Sequence, residues 1–180
     1  MIFLDMKELE TDRLILRKIK KSDAADMYEY AKNPKVSEYL TWSAHESCIF
    51  TKGYIKFLIK KYKTGEYFDW AVEHKETGKF IGTCGFSTYD EENKKAEIGY
   101  VLNPDFHKMG LATEAVRKII EYALTDLNLH RIEARVIEGN AASEKVVAKC
   151  GLTYEGTGID EMFIKGKYRT IRHYALINNK

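Results

Sequence analysis

The sequence predicts an α+β domain in which a mixed, mostly antiparallel seven-stranded sheet is flanked by about four helices. Three strand-like runs at residues 68–72, 80–86 and 96–102 follow one another across turn-rich stretches, the pattern of a meander. After Gly110, the residues Leu111, Ala115, Ile119, Ile120, Ala123, Leu124 and Leu127 keep a 3.6-residue apolar period, the clearest helix in the chain. Beyond it the pattern runs strand, helix, strand, strand, so helices are interleaved with the sheet.

From the N-terminus, Thr11 to Arg17 alternates with Leu14 and Leu16 on one face and reads as the first strand. Ser22 is placed to cap a helix carrying Ala25, Met27, Tyr28 and Ala31, which Asn33 and Pro34 end. Ser43 to Glu46 has capping-box spacing, and Ile49, Phe50, Tyr54, Phe57 and Leu58 follow at helical intervals toward Gly65. The meander comes next, with turns at Lys75 to Gly78 and Asp90 to Lys94. The strong helix is followed by a strand containing Ile132, Ala134 and Val136, then by a short helix from Ala141 to Lys149 that Cys150-Gly151 stops. The last two strands are expected near Leu152 to Glu155 and Tyr168 to Ile177.

With 180 residues and neither repeat nor linker, residues 1–180 read as one domain carrying one site. The 44% hydrophobic and 31% charged composition is that of a globular chain, and no apolar run reaches membrane length. The segment Met1 to Lys7 meets charge too early for a secretory signal, so a cytoplasmic protein is expected. Cys48, Cys84 and Cys150 cannot all pair and lack C-x-x-C spacing, which disfavours a disulfide frame or a metal site. Net charge is +2 with basic and acidic residues interspersed, so neither nucleic acid nor membrane is an expected partner. Lys60, Lys61 and Lys63 read as the solvated end of a helix.

Between the strand ending at Leu102 and the strong helix lies Asn103-Pro104-Asp105-Phe106-His107-Lys108-Met109-Gly110-Leu111-Ala112-Thr113. A loop feeding a helix N-terminus offers unpaired backbone N–H groups and the positive end of the helix dipole, and Gly110 lets an anion approach closely. A phosphate suits such a place. The segment is not a P-loop and no G-x-G-x-x-G follows a strand, so nucleoside triphosphate and dinucleotide sites are disfavoured and coenzyme A remains. A plain strand-to-helix connection is the other reading of these residues by themselves.

His107-Lys108-Met109-Gly110-Leu111-Ala112 resembles the pyrophosphate loop of the GNAT (GCN5-related N-acetyltransferase) superfamily. Gly110-Leu111-Ala112-Thr113-Glu114-Ala115 is similar to the form that loop takes in the ribosomal-protein N-terminal acetyltransferase branch. Thr11-Asp12-Arg13-Leu14-Ile15-Leu16-Arg17 resembles that branch's opening strand and Glu97-Ile98-Gly99-Tyr100 its fourth. Asn140-Ala141-Ala142-Ser143 through Cys150-Gly151-Leu152 resembles its second cofactor-contacting helix. These matches occur in family order over nearly the whole chain. His107 departs from the pattern, which usually has Gln or Arg at that position.

The resemblance implies the acyl-CoA N-acyltransferase fold and transfer of acetyl from acetyl-CoA to a primary amine by direct attack in a ternary complex. It implies that backbone amides from Lys108 to Thr113 hold the pyrophosphate. It makes Glu97 the base that takes the amine's proton, where the bland reading is a paired or solvated strand glutamate. Backbone N–H groups around Val101 and Leu102 are implied to meet the oxyanion beside a bulge. Asn140 is implied to bind the pantetheine arm, or else caps a helix. Ser143 is implied to serve the departing sulfur, or else is a first-turn residue. Tyr154 is the alternative donor, or else a sheet or core aromatic. Cys150 reads as a structural thiol and not a nucleophile.

The acceptor should be chosen by the first two helices, the loop at Thr41-Trp42, and the final strands with Tyr168, Arg169, His173 and Tyr174. Trp42 either walls the amine pocket or packs. The branch resemblance favours a protein N-terminal amine, such as a ribosomal protein's. A polyamine, amino acid or aminoglycoside is the alternative, and a non-catalytic acyl-CoA-binding module the reading from another class. The resemblance also suggests a homodimer.

Overall fold

The computed structural model describes residues 6–65 and 68–179. Eight strands form one sheet in the order β1-β2-β3-β4-β5-β6-β8-β7: β1 Leu9–Glu10, β2 Leu14–Arg17, β3 Phe68–His74, β4 Lys79–Asp90, β5 Lys95–Leu102, β6 Arg131–Ile137, β7 Thr153–Ile164 and β8 Lys167–Ile177. The helices are α1 Ala24–Ala31, α2 Pro34–Ser37, α3 Cys48–Thr64, α4 Leu111–Thr125 and α5 Ala141–Lys149. Every neighbouring pair of strands is antiparallel except β5 and β6.

The fold is the expected α+β plan with one strand and one helix more. The extra strand is β1, two residues long, which pairs Leu9 with Leu16 and is too short to show a period. The extra helix is α2. Asn33 and Pro34 do end α1, but the Asn33 side chain then accepts from the N–H of Lys35 while Pro34 takes the first helical position, so the same pair starts a new turn.

Caps account for the other differences. Ser22 caps nothing: a 3-10 turn over Lys21–Asp23 leads into α1, and Asp23 accepts from the N–H of Lys20. Ser43 to Glu46 is not the capping box either. Ser47 caps α3 by accepting from the N–H of Phe50, and His45 is buried against Thr51, Nδ1 to Oγ1 at 2.9 Å. At the far end Gly65 closes α3 with φ of 68°, a left-handed cap that costs glycine little.

The sheet has a core on each side. Helix α4 buries Leu111, Ala115, Val116, Ile119 and Ala123 against Trp70, Val72, Ile81, Cys84, Ile98 and Ile132. Helices α1 and α3 cover the opposite face, packing Met27, Tyr30, Ala31, Ile55 and Leu58 on Ala71 and Phe80. Each large aliphatic or aromatic side chain among these contributes on the order of 1.5–3 kcal/mol when fully buried. A buried guanidinium joins β2, β3 and the 3-10 turn: Arg17 donates to both oxygens of Asp23 at 2.9 and 2.8 Å and to Glu73 at 2.6 Å. Three paired hydrogen bonds satisfy a charge that burial would otherwise penalise.

Two features position the site. The register between β5 and β6 runs from Lys95↔Arg131 to Glu97↔Glu133 and stops, while β6 stays with β8 through Ile137. Residues 98–102 therefore leave the sheet's far half and open a wedge beside β5. The second is a register shift in β4 between Phe86 and Thr88, opposite Ile98 and Glu97. The bulge expected beside Val101 and Leu102 is thus on the neighbouring strand at Ser87, because Gly82↔Leu102 and Thr83↔Val101 pair without a break.

Candidate active site

The loop from β5 to α4 is shaped for an anion. Lys108 and Gly110 both take left-handed backbone, with φ of 63° and 81°. Gly110 is the N-cap of α4 and supplies no side-chain acceptor, so the first-turn amides of the helix face outward with the dipole behind them. Residues 107–110 are exposed, whereas Leu111 is fully buried and can offer a ligand only its backbone. Ala112 and Thr113 are half-buried.

Side chains brace this loop at both ends. His107 donates from Nε2 to the carbonyl of Leu102 at 2.9 Å, which puts its proton on Nε2 and ties the loop to the end of β5. Arg13 donates from Nη1 to the Met109 carbonyl at 2.9 Å and pairs with Glu114 at 2.6 Å. Glu114 also accepts from Thr11 Oγ1 at 2.6 Å and from the Arg13 N–H at 3.0 Å. Burial works against its charge, but those hydrogen bonds prevail and hold the carboxyl below its ordinary range. Thr11 and Arg13, expected in the first strand, lie instead in the turn just before β2, where they form a bracket for the anion loop, a link the sequence does not disclose.

The wedge beside β5 is defined by alternation. Asn103 donates its N–H to Ile81 at 2.7 Å, so Val101 and Gly99 also turn their backbone groups toward β4. Leu102, Tyr100 and Ile98 turn theirs into the wedge. Of the two residues expected to supply oxyanion donors, only Leu102 aims that way; Val101 presents its side chain to the α1–α3 core.

Helix α5 closes the wedge. Asn140 caps it by accepting from the Ser143 N–H at 3.2 Å, which uses Oδ1 and leaves Nδ2 able to donate. Ser143 Oγ lies 2.7 Å from the phenolic oxygen of Tyr100. Burial raises the Tyr100 phenol well above its ordinary value, and the Ser143 hydrogen bond offsets only part of that, so the phenol keeps its proton. Tyr100 stands in the Glu97-Ile98-Gly99-Tyr100 match, yet sequence pattern does not mark it, because strand alternation says nothing of what crosses from another element.

The remaining expected residues spread over two cavities. Glu97 is paired with Arg135 at 2.8 Å and lines a charged cavity of about 460 Å³ with Arg131, Glu133, Glu155, Glu161 and His173. A second cavity of about 410 Å³ lies between α1, α3 and the sheet, and is walled by Tyr30, Thr41, Trp42, Tyr54, Gly99 and Val101. Tyr154 is exposed on β7, with its hydroxyl 2.6 Å from Thr157 Oγ1 and its ring against Tyr174. Its partners belong to the β7–β8 ribbon and not to β5 or α5.

Of the residues expected to choose the acceptor, Trp42 packs its ring on His45 and walls the second cavity. His173 pairs with Glu161 at 2.6 Å in the first, which Tyr174 also lines. Tyr168 packs on Phe163 in the outer ribbon. Lys165, in the β7–β8 turn, donates to the carbonyls of Ser37 and Trp42 and fastens the ribbon to the α2–α3 connection. Cys150 is half-buried against the Thr113 carbonyl, and burial raises its thiol, which suits a structural role.

A mixed sheet whose one parallel pair parts beside an anion loop is the frame of an acyl-CoA-binding N-acyltransferase. The acetyltransferase (GNAT) domain family matches residues 13–153, and the chain belongs to that family. It is an acetyl-CoA-dependent N-acetyltransferase. It is 34% identical over 175 residues to the uncharacterized N-acetyltransferase p20 of Bacillus licheniformis, covering 97% of this chain and 98% of the relative. An acetyltransferase of the GNAT family from Bacillus anthracis superposes with a TM-score of 0.85 at 23% identity, covering 97% of this chain and all of the other. Ribosomal-protein-S5-alanine acetyltransferase from Vibrio fischeri superposes with a TM-score of 0.81 at 25% identity, over 97% and 98% of the two chains. Among the described residues no group of His, Cys, Asp and Glu could hold a metal ion, and no helix is long and apolar enough to cross a membrane.

Proposed function

We propose that the acceptor is the N-terminal amine of a ribosomal or other protein, acetylated by direct attack in a ternary complex. Acetyl-CoA supplies the acyl group as a thioester. The backbone amides from Lys108 to Thr113 hold its pyrophosphate, with His107 and Arg13 fixing the loop's shape. Asn140 donates to the pantetheine arm from Nδ2. The N–H of Leu102 meets the acyl oxygen, and Val101 walls the acceptor side.

Glu97 takes the amine's proton, directly or through water, and Arg135 keeps its carboxylate oriented. Ser143 hydrogen-bonds or protonates the departing sulfur and draws on Tyr100, whose phenol stays protonated. Tyr154, already engaged by Thr157, is the alternative donor. The observation that carries this reading is the wedge between β5 and β6, opening beside the α4 N-terminus and bridged by Ser143 and Tyr100.

We place the protein in the cytoplasm, where three free cysteines are at home, and infer a homodimer, to which the exposed Ile159, Phe163 and Tyr168 would offer apolar surface. The test is release of free CoA from acetyl-CoA across a panel of peptides and small amines. Turnover of peptides with a free N-terminus, and none of N-terminally blocked ones, is expected; CoA release with polyamines or aminoglycosides alone would transfer the acceptor to the small-molecule class.

A further inference from the structure

Helix α5 is held in place by polar contacts more than by burial. It buries Val147 and half-buries Val146, whereas α4 seats itself with a buried face running from Leu111 to Ala123. At 9 residues α5 is also marginal as a helix by itself. Its C-terminal end is fastened to α4, where Arg117 donates from Nη2 to the Lys149 carbonyl at 2.8 Å. The N-terminal end, which carries Asn140 and Ser143, has a different anchor.

Consecutive residues of that first turn reach opposite rims of the wedge. Ser143 meets Tyr100 on β5. Glu144 turns to the far rim, where Arg172 of β8 donates from Nη1 to its two carboxylate oxygens at 3.2 and 3.0 Å. Arg172 stands opposite Val136 on β6, in the stretch that has already parted from β5. Its other terminal nitrogen, Nη2, donates to Glu138 at 3.2 Å. Glu138 lies in the turn from β6 into α5, and its own N–H donates to the Thr170 carbonyl of β8 at 3.0 Å. One guanidinium thus grips the chain on both sides of Asn140. A planar fork reaches two carboxylates in this way, whereas an ammonium is a single point of charge.

We propose that Arg172 is a positioning residue for the cofactor: by gripping Glu138 and Glu144 it seats the first turn of α5 across the wedge and sets the gap that receives the pantetheine arm. This rests on the placement of that arm beside Asn140 and adds the group that fixes the far rim. Arg172 acts through Asn140 and Ser143 and not by contact with the thioester. Both of its ion pairs are partly exposed, so they add little to global stability. Their effect is on binding, because a first turn already in place need not be ordered when the cofactor arrives.

The probes are acetyl-CoA and adenosine 3′-phosphate 5′-diphosphate, the part of coenzyme A that carries the pyrophosphate without the pantetheine, each titrated into the protein by calorimetry. Arg172→Ala should weaken acetyl-CoA binding by about threefold to tenfold, the scale of one or two side chains left to be ordered. The nucleotide, held by the loop before α4, should bind as it does to wild type. Arg172→Lys should recover part of the loss. Glu144→Gln added to Arg172→Ala should cause no further loss, because both act through one contact. Melting temperatures should stay within a few degrees of wild type. Unchanged acetyl-CoA affinity in Arg172→Ala, an equal loss for the nucleotide, or losses that add in the double variant would overturn the assignment and leave the pantetheine in the wedge. Acetyl-CoA bound by wild type no more tightly than the nucleotide would mean that the wedge takes no pantetheine, and both readings would fall.

Discussion

The hydroxyl of Ser143 lies 2.7 Å from the phenolic oxygen of Tyr100, so the first turn of α5 is tied to β5 across the gap that β6 has vacated. In the function proposed above, these two hydroxyls in series pass a proton toward the departing sulfur and replace it from behind. Ser143→Ala is expected to lower kcat by about a hundredfold, the lower end of the range for a general acid, with acetyl-CoA affinity within about twofold. Tyr100→Phe should show a smaller fall of the same kind. Equal kcat in both variants and wild type, measured by stopped-flow release of CoA, would leave the pair a purely structural clamp.

Asn140 caps α5 and, in the function proposed above, also donates to the pantetheine arm; the two roles separate by substitution. Asn140→Ala removes the cap of α5, at a cost of about 1 kcal/mol, together with the Nδ2 donor. Asn140→Asp keeps a good cap but cannot donate. Both variants should bind acetyl-CoA more weakly at little cost in kcat, whereas only the alanine variant should lose several degrees of Tm. An aspartate variant with undiminished affinity would show that Asn140 serves the helix alone.

Glu97→Gln preserves shape and one hydrogen bond to Arg135 but cannot take a proton. The expected result is a fall in kcat of at least about tenfold with acetyl-CoA binding intact. Rates equal to wild type at every pH tested would remove Glu97 from proton transfer and leave it a partner for Arg135.

Glu114 makes stability depend on pH in a defined direction. Its folded value lies below its unfolded one, because the hydrogen bonds from Thr11 and Arg13 outweigh burial. The stabilisation is therefore present above the unfolded carboxyl value, about 4.3, and is lost as pH falls through the lower folded value. Glu114→Gln should cost roughly 1–3 kcal/mol near pH 7, and its Tm deficit should shrink as pH falls below about 4. A deficit constant down to acid pH would mean that charge plays no part in the bracket.

The sequence by itself determined the anion loop and every element except β1 and α2. The 3.6-residue period after Gly110 and the alternation in the meander reflect which faces must leave water, a local property that pattern alone carries. Gly110 before an apolar helix likewise announces an open N-terminus, and residues 107–110 with the first turn of α4 form the place that pattern describes. Only the tertiary structure decided what meets across elements: Arg13 with Glu114, Ser143 with Tyr100, and Arg172 with Glu144. Those partners are separated by 101, 43 and 28 residues, and no local period encodes such contacts. The parting of β5 from β6, and with it the division of Leu102 and Val101 between wedge and core, likewise depends on strands that sequence order does not place side by side. Chain-local preferences select helix and strand; the site comes from packing, in which each wall is supplied by a different element.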